Sequence, residues 1–424
     1  MDIDVAIVGA GSAGLTTLRV LERAGCNVLC LEARDRIGGR ILTLHDPLSP
    51  IPIELGAEFL HGRHPDLWQF VESGCLAAYD IAERAVHIQG GKVQHHADSW
   101  ELVGQVTKDM QRAAETGPDC SFQAFLDETS YPADVKQLAT SYVEGFNAAR
   151  KEIVGIASLT KDAKAADESG GDQSLRWRNG YDALLRHILT GTVRVNSVVE
   201  HISWRPGSAE IRFRSAVTGH VQTIRSHRVV ITVPLGVLQN GDIEFNPVPE
   251  EALDAARSLA FGHVFRVILR FREPFWEKNS ELSDVGFLLA DAQRFPTWWT
   301  PLPIHAPLIT GWSAGPHTDA LIGQSRETVI RYALDDLQRI TNTNNLDELL
   351  EAAYFHDWAA DPFTRGAYSY VPAGAMQARE KVAELVDDTL YFSGEATELN
   401  GHSATVHGAI ASGLRVARQI LDNS

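Results

Sequence analysis

The clearest chemistry near the start of the chain lies in three glycines and one carboxylate: Gly9, Gly11 and Gly14 in the run Gly9-Ala10-Gly11-Ser12-Ala13-Gly14, and Glu32 beyond them. The apolar run from Val5 to Val8 ahead of the glycines reads as a strand, and Leu15, Leu18 and Leu21 behind them repeat at helical spacing. Gly9 permits a tight turn, Gly11 lets backbone approach a pyrophosphate, and Gly14 lets the helix pack close. Ser12 and Ala13 sit at the helix N-terminus, whose positive end favours phosphate. A second strand, Asn27 to Glu32, ends on a carboxylate placed to accept hydrogen bonds from ribose hydroxyls. An acid there disfavours a phosphorylated ribose, so NADPH is a poor fit, while FAD and NAD both fit.

Composition bounds the protein that carries this site. A chain of 424 residues, at about 150 per domain, makes two or three domains and buries a substantial core. Hydrophobic residues at 44% and charged residues at 22% exclude disordered, collagen-like and coiled-coil classes. The net charge of −17 repels phosphate backbones, so no nucleic-acid partner is expected. Cys26, Cys30, Cys75 and Cys120 lack metal-ligand spacing, which implies reduced thiols and no metal. No basic leader precedes the first strand, and no apolar run reaches the roughly 18 residues that span a bilayer. The expectation is a soluble cytoplasmic protein with no membrane partner; the oligomeric state is left open. The stretch from Val193 to Val230 reads as β-rich, and Ala163 to Gln173, rich in Ala, Asp and Gly, reads as a mobile surface loop.

The segment Glu32-Ala33-Arg34-Asp35-Arg36-Ile37-Gly38-Gly39-Arg40 separates FAD from NAD. Its glycines again bring backbone close, and Arg34 and Arg40 supply charge against phosphates. Glu-x-x-x-Arg-x-Gly-Gly-Arg after a Gly-x-Gly-x-x-Gly motif resembles the flavin-containing amine oxidases, which include monoamine and polyamine oxidases, L-amino-acid oxidases and flavin-dependent histone demethylases. The resemblance continues through Val230 to Leu238, where Pro234-Leu-Gly-Val-Leu238 matches a family turn, and through Leu390 to Thr397 and Thr405 to Arg415. It implies that Val198 meets the adenine, that Gly394 and Glu395 meet the ribityl and phosphate region, and that Val406 faces the pyrimidine edge of the flavin. Ala404 to Ile420 reads as a helix with an apolar face through Ala409, Leu414 and Ile420, and its N-terminus would stabilise negative charge on a reduced flavin. The implied fold is α/β: a discontinuous Rossmann-type FAD-binding domain (1–75, 190–245 and 385–424) with an α+β substrate-binding domain built on a mixed sheet (76–189 and 246–384).

The same resemblance assigns roles around the flavin ring. In the segment Trp358 to Gly374, Tyr368 matches one wall of the family's aromatic cage and Trp358 lies on the cofactor side; Ala367 stands where monoamine oxidases carry a flavin-linked cysteine, so FAD is expected to be non-covalent. Thr405 replaces the second cage tyrosine, leaving His402 or a tryptophan to complete the cage. Trp298 and Trp299 fall in a segment that lines the substrate cavity of relatives, with sheet packing as the equal alternative. In Glu54 to Gly62, Gly56 and Ala57 approach the flavin, His61 touches substrate and Glu58 suits a cationic amine. Arg266 replaces a lysine bound through water to flavin N5; arginine keeps the charge but stays protonated, which questions oxygen reactivity.

The expected activity is oxidation of a small-molecule amine, with hydride transfer to N5, imine hydrolysis, and oxygen returning as hydrogen peroxide. Polyamines and other aliphatic amines rank first and aromatic monoamines second. Two alternatives stand beside it: an amine dehydrogenase with a non-oxygen acceptor, and a non-catalytic FAD-binding regulator. A histone-demethylase role is disfavoured because the chain leaves no room for the extra helical domains of those enzymes.

Overall fold

The computed structural model describes residues 3–89, 92–94, 97–171, 173–291 and 294–423. Its organising sheet runs in parallel from Val193–Arg194 through Val28–Leu31, Ile3–Val8 and Val221–Ile231 to Leu390–Phe392. Three distant stretches of chain thus share one layer. The inner strands are nearly all apolar because both faces are covered. On one face lie the helices Ser12–Arg23 and Val406–Asp422, packed with Ile7, Leu15, Leu18, Val230, Ile410 and Val416 in one core. On the other lie the antiparallel strands Ser197–Arg205 and Ser208–Ser215 and the helices Glu250–Ser258 and Ala378–Ala383.

The two terminal helices touch almost backbone to backbone. A Cβ on Gly413 would lie 2.5 Å from the Ala13 carbonyl oxygen, and the Thr17 hydroxyl donates to the Gly413 carbonyl at 3.2 Å. The apolar helix read at the C-terminus begins at Val406, held by Thr405 as its N-cap.

The second sheet has the order Leu350–Phe355, Val264–Phe271, Leu308–Ala314, Thr297–Trp299, Phe287–Ala290, Ala85–Gln89, Lys92–Gln94, and it is mixed because Phe287–Ala290 runs parallel to Ala85–Gln89. Every residue of Val264–Phe271 is buried, with Arg326–Thr341 contributing Val329, Ala333 and Leu337 to the same core. A helical group, Ala97–Thr116, Phe122–Glu128, Ala133–Asn147 and Ile156–Glu168, forms a separate core. The expected α/β fold, a Rossmann-type layer with a second unit on a mixed sheet, is thus present. Among the described residues no helix is long and apolar enough to cross a membrane.

Three expectations change. Leu175, Trp177, Tyr181, Leu184, Leu185 and Ile188 pack into the core of the nucleotide layer, so the end of the 76–189 segment belongs with that layer rather than with the substrate unit. Ala163 to Glu168 is helix, not loop: Ala and Lys favour helix, and Ala165 is buried, with its Cβ 2.8 Å from where a Cβ on Gly401 would stand. Asp172, within that expected loop, lies outside the described residues. Trp298 is not a cavity residue. It is fully buried in the core of the second sheet, its indole donates to the Phe295 carbonyl at 2.9 Å, and its ring covers Gly311 so closely that a Cβ there would meet it at 2.7 Å.

Trp298→Ala should therefore lower stability by about 3–5 kcal/mol, read as a fall in the thermal midpoint, while soluble variant protein keeps its substrate KM. A large KM change with unchanged melting would put the ring in the cavity after all.

Candidate active site

One continuous cavity of about 1630 Å³ runs from the glycine turn to the second sheet. That exceeds the roughly 300–1,000 Å³ typical of a single small-molecule site, leaving room for a dinucleotide and a substrate. Gly9, Gly11, Ser12, Ala13, Glu32, Ala33, Arg34, Gly39, Arg40 and Val198 line its nucleotide end. Gly9 holds φ +106°, and a Cβ there would lie 2.5 Å from the Thr232 hydroxyl. Gly14 does not line the cavity; a Cβ on it would stand 2.0 Å from the Gly9 carbonyl oxygen, so it sets how close the helix comes. The helix Ser12–Arg23 has no side-chain cap and no acid in its first turn, which leaves its N–H groups for an anion.

Glu32 braces this end, accepting from the Ala10 amide at 2.8 Å and from the Arg34 amide at 3.0 Å. The two arginines behave differently from the expectation. The Arg34 guanidinium is committed to Asp361 at 2.7 Å and to the Thr364 hydroxyl at 2.6 Å, so its charge is already balanced by protein. Arg40 bonds Glu395 and the Ala367 carbonyl, at 2.8 and 2.7 Å. The other Glu395 oxygen accepts from the Ser369 hydroxyl at 2.6 Å and from the Ala404 amide at 3.1 Å, tying the last strand to the start of the C-terminal helix.

Gly56, Ala57, Trp358, Gly394, Glu395, Thr405 and Val406 line the middle of the cavity. The Trp358 indole donates to the Leu55 carbonyl at 2.8 Å. The Thr405 hydroxyl accepts from the Gly408 amide at 2.9 Å and donates to the His402 carbonyl at 2.7 Å, so it is engaged in the helix cap rather than free for a substrate.

The far end is an aromatic chamber. Tyr368, Trp299, Trp312, Phe59, His61 and Phe146 line it. The Tyr368 hydroxyl donates to the Phe146 carbonyl at 2.8 Å, fixing the ring as a wall. Trp299 lies 5.6 Å from Trp312 and 5.4 Å from Phe59, centroid to centroid. Trp312 packs on the same small cluster as Tyr368, whereas His402 sits with His64 and His407, at 4.4 and 5.1 Å between ring centroids. A tryptophan thus shares a cluster with Tyr368, while His402 also lines the cavity and packs with His64 and His407. Trp312, Phe59 and Phe146 escape sequence reasoning because no motif surrounds them.

Burial pushes His61 down to about 4 and His407 down to about 2, so both imidazoles are neutral at ordinary pH.

Glu58 lines the cavity, but its carboxylate is not free for a cationic amine, contrary to the expectation. One oxygen accepts from Arg176 Nε at 2.5 Å; the other is paired with the Arg266 guanidinium and accepts from the Trp299 indole at 3.1 Å. Arg266 is buried, donates to the Gly56 carbonyl at 2.5 Å and lies 5.3 Å from the Trp299 ring centroid. Nothing in the sequence Ser174–Trp177 marks Arg176 as part of the site.

A doubly wound nucleotide layer whose cavity opens into an aromatic chamber has the arrangement of a dinucleotide-dependent oxidoreductase. A family described as flavin containing amine oxidoreductase matches residues 121–421, and one described as an NAD(P)-binding Rossmann-like domain matches residues 7–74. The chain belongs to the flavin containing amine oxidoreductases and is a flavin-dependent amine oxidoreductase with FAD as its cofactor. Ala367 offers no thiol to link it at the position the resemblance singles out.

Polyamine oxidase 2 of Arabidopsis thaliana is 28% identical over 97% of this chain and 87% of its own length. Lysine-specific histone demethylase 2 of Homo sapiens is 27% identical over 98% of this chain, and lysine-specific histone demethylase 1 homolog 3 of Arabidopsis thaliana is 25% identical over 99%. The chain spans only 53% and 30% of those two demethylases. In fold it is similar to a putrescine oxidase bound to putrescine (TM-score 0.83, 20% identity) and to cyclohexylamine oxidase from Brevibacterium oxydans IH-35A (TM-score 0.82, 19% identity). Each of these covers 100% of this chain and 99% of its own.

Because His61 and His407 are held neutral below the ordinary 6.5, the unfolded chain binds more protons than the folded one between 6.5 and their lowered values. Stability should fall as pH drops through that window, by on the order of 3 kcal/mol for His61 alone. Urea unfolding of wild type and His61→Gln at descending pH checks this; equal slopes would remove His61 from the effect.

Proposed function

We propose that the protein oxidises a small aliphatic amine, with oxygen as electron acceptor. The observation that carries this reading is the aromatic chamber of Tyr368, Trp299 and Trp312 opening directly off the nucleotide cavity, with His61 as a neutral imidazole in its wall. Bound FAD would supply the two-electron acceptor: the amine would lose a hydride equivalent and a proton to give an imine, water would convert the imine to a carbonyl compound with release of ammonia or an amine, and oxygen would take up the two electrons with two protons as hydrogen peroxide.

The protein's own residues orient the amine and exclude water. Tyr368 and the tryptophans present faces to the amine, against which a neutral nitrogen loses less hydration than an ammonium does. His61 accepts a hydrogen bond from the amine but is too weak a base to hold its proton, so the substrate must arrive deprotonated. Glu58 balances Arg266 and Arg176 rather than an ammonium, which favours a reacting nitrogen that is uncharged. Asp162 and Asp167, lining the cavity from the helix Ile156–Glu168, supply carboxyl groups for a second amino group. The polyamine and putrescine oxidase relatives support an aliphatic substrate.

Mixed anaerobically with putrescine, spermidine, cyclohexylamine and benzylamine, the yellow protein should be bleached fastest by an aliphatic amine, and faster as pH rises through the substrate's ammonium midpoint. Bleaching by none of them would sink the reading. Tyr368→Ala should slow reduction roughly ten- to hundredfold, equivalent to about 1.4–2.7 kcal/mol of barrier, while Tyr368→Phe, which keeps the ring, retains most of the rate.

A second reading is favoured by one observation: the Arg266 guanidinium is engaged by Gly56, Glu58 and Trp299. A group so occupied cannot play a proton-shuttling lysine's part toward oxygen, which favours a quinone or protein acceptor. Arg266→Lys should speed reoxidation of the reduced protein by air about tenfold; an unchanged rate would remove Arg266 from the oxygen step.

A further inference from the structure

Arg176 lies behind the cavity wall rather than in it. Its strand, Ser174–Trp177, pairs antiparallel with Phe59–His61, with Arg176 directly opposite Phe59, so the guanidinium lies 4.8 Å from the Phe59 ring centroid and its Nε reaches Glu58 at 2.5 Å. Glu58 carries the contact on to Arg266, which lines the cavity next to Gly56. Both arginines are at least 95% buried. Burial lowers them only to about 10 and about 9, so both stay protonated at neutral pH.

Two buried cations therefore face one carboxylate, and the group carries a net +1. One cation suffices to neutralise the anion, and a second buried guanidinium adds a desolvation cost of several kcal/mol. Nor are its bonds all used: Arg176 Nη1 and Arg266 Nε are buried without a hydrogen-bond partner among the described residues. The excess charge faces a cavity where a cofactor gains negative charge on reduction, and a buried charge is screened little by solvent.

We propose that Arg176 is a positioning residue: through Glu58 it holds Arg266 at the cavity wall, and the three side chains act as one buried group of net charge +1 that raises the reduction potential of bound FAD. The inference rests on the FAD assignment and not on the amine. Its test is the midpoint potential of the FAD-loaded protein, measured anaerobically by equilibration with a reference dye. The pH is set below the value of about 7 to which burial raises nearby Glu54, so that this acid is uncharged.

Arg176→Met removes one positive charge and should shift the potential more negative. Glu58→Gln removes the negative charge and should shift it more positive. The double variant keeps the net +1 on Arg266 and should return close to wild type, while Arg176→Lys keeps the charge and should not move. A purely structural role would lower melting temperature and FAD retention in every variant without the opposite signs. Shifts of the same sign in the two single variants, or none in either, would overturn the proposal. If Arg176→Met fails to fold, Glu58→Gln against the double variant decides: a positive shift that the second change cancels supports the proposal, and equal potentials overturn it. Opposite shifts in a protein that no amine reduces would keep this inference and sink the amine reading. A protein that takes up no FAD would sink both.

Discussion

The strand Val221–Ile231 bonds along one edge to Ile3–Val8 and along the other to Leu390–Phe392, and the rest of the structure depends on that double pairing. It places the glycine turn after Val8 and the Gly394–Glu395 turn after Phe392 at the same end of one sheet. Ligands of open parallel sheets bind beyond the carboxyl ends of the strands. With Ser12–Arg23 and Val406–Asp422 crossing at Ala13 and Gly413, both helix N-termini open onto one cavity. Neither end of the chain could make that cavity alone.

Three carboxylates of the cavity are each held by donors from other parts of the chain. Glu32 takes amides from two turns, Glu395 joins Arg40 to Ser369 and Ala404, and Glu58 joins Arg176 to Arg266 and Trp299. A buried charge without partners would be costly, so these acids act first as braces. The chemistry falls to what the braces position: the helix ends, the aromatic faces and the uncharged His61.

The nucleotide end was legible in the sequence because its physics is local. Turn, helix start and the Glu32 carboxylate lie within one βαβ stretch, and each glycine has a geometric reason visible in spacing alone. The substrate end was legible only as far as the resemblance reached. Trp298 and Trp299 are neighbours on a strand, where successive side chains face opposite sides; one had to enter the core if the other entered the cavity, and alternation alone does not say which. The partners of Glu58 and Arg34 come from residues 176, 266 and 361, brought together by sheet pairing and loop packing that no periodicity encodes. Ala163 to Glu168 reads as a loop because its small residues suit either a loop or a helix packed closely on a neighbour; contact with Gly401 decides for the helix.

The charge distribution makes a two-stage demand on an incoming amine. A chain of net charge −17 concentrates cations at its surface, which favours an ammonium at the mouth. Inside, the Glu58 carboxylate is outnumbered by two guanidinium groups, and His61 is neutral. A buried charge is screened little by solvent, so the net positive group disfavours a second cation beside it. The ammonium that the surface attracts is therefore the form the chamber rejects.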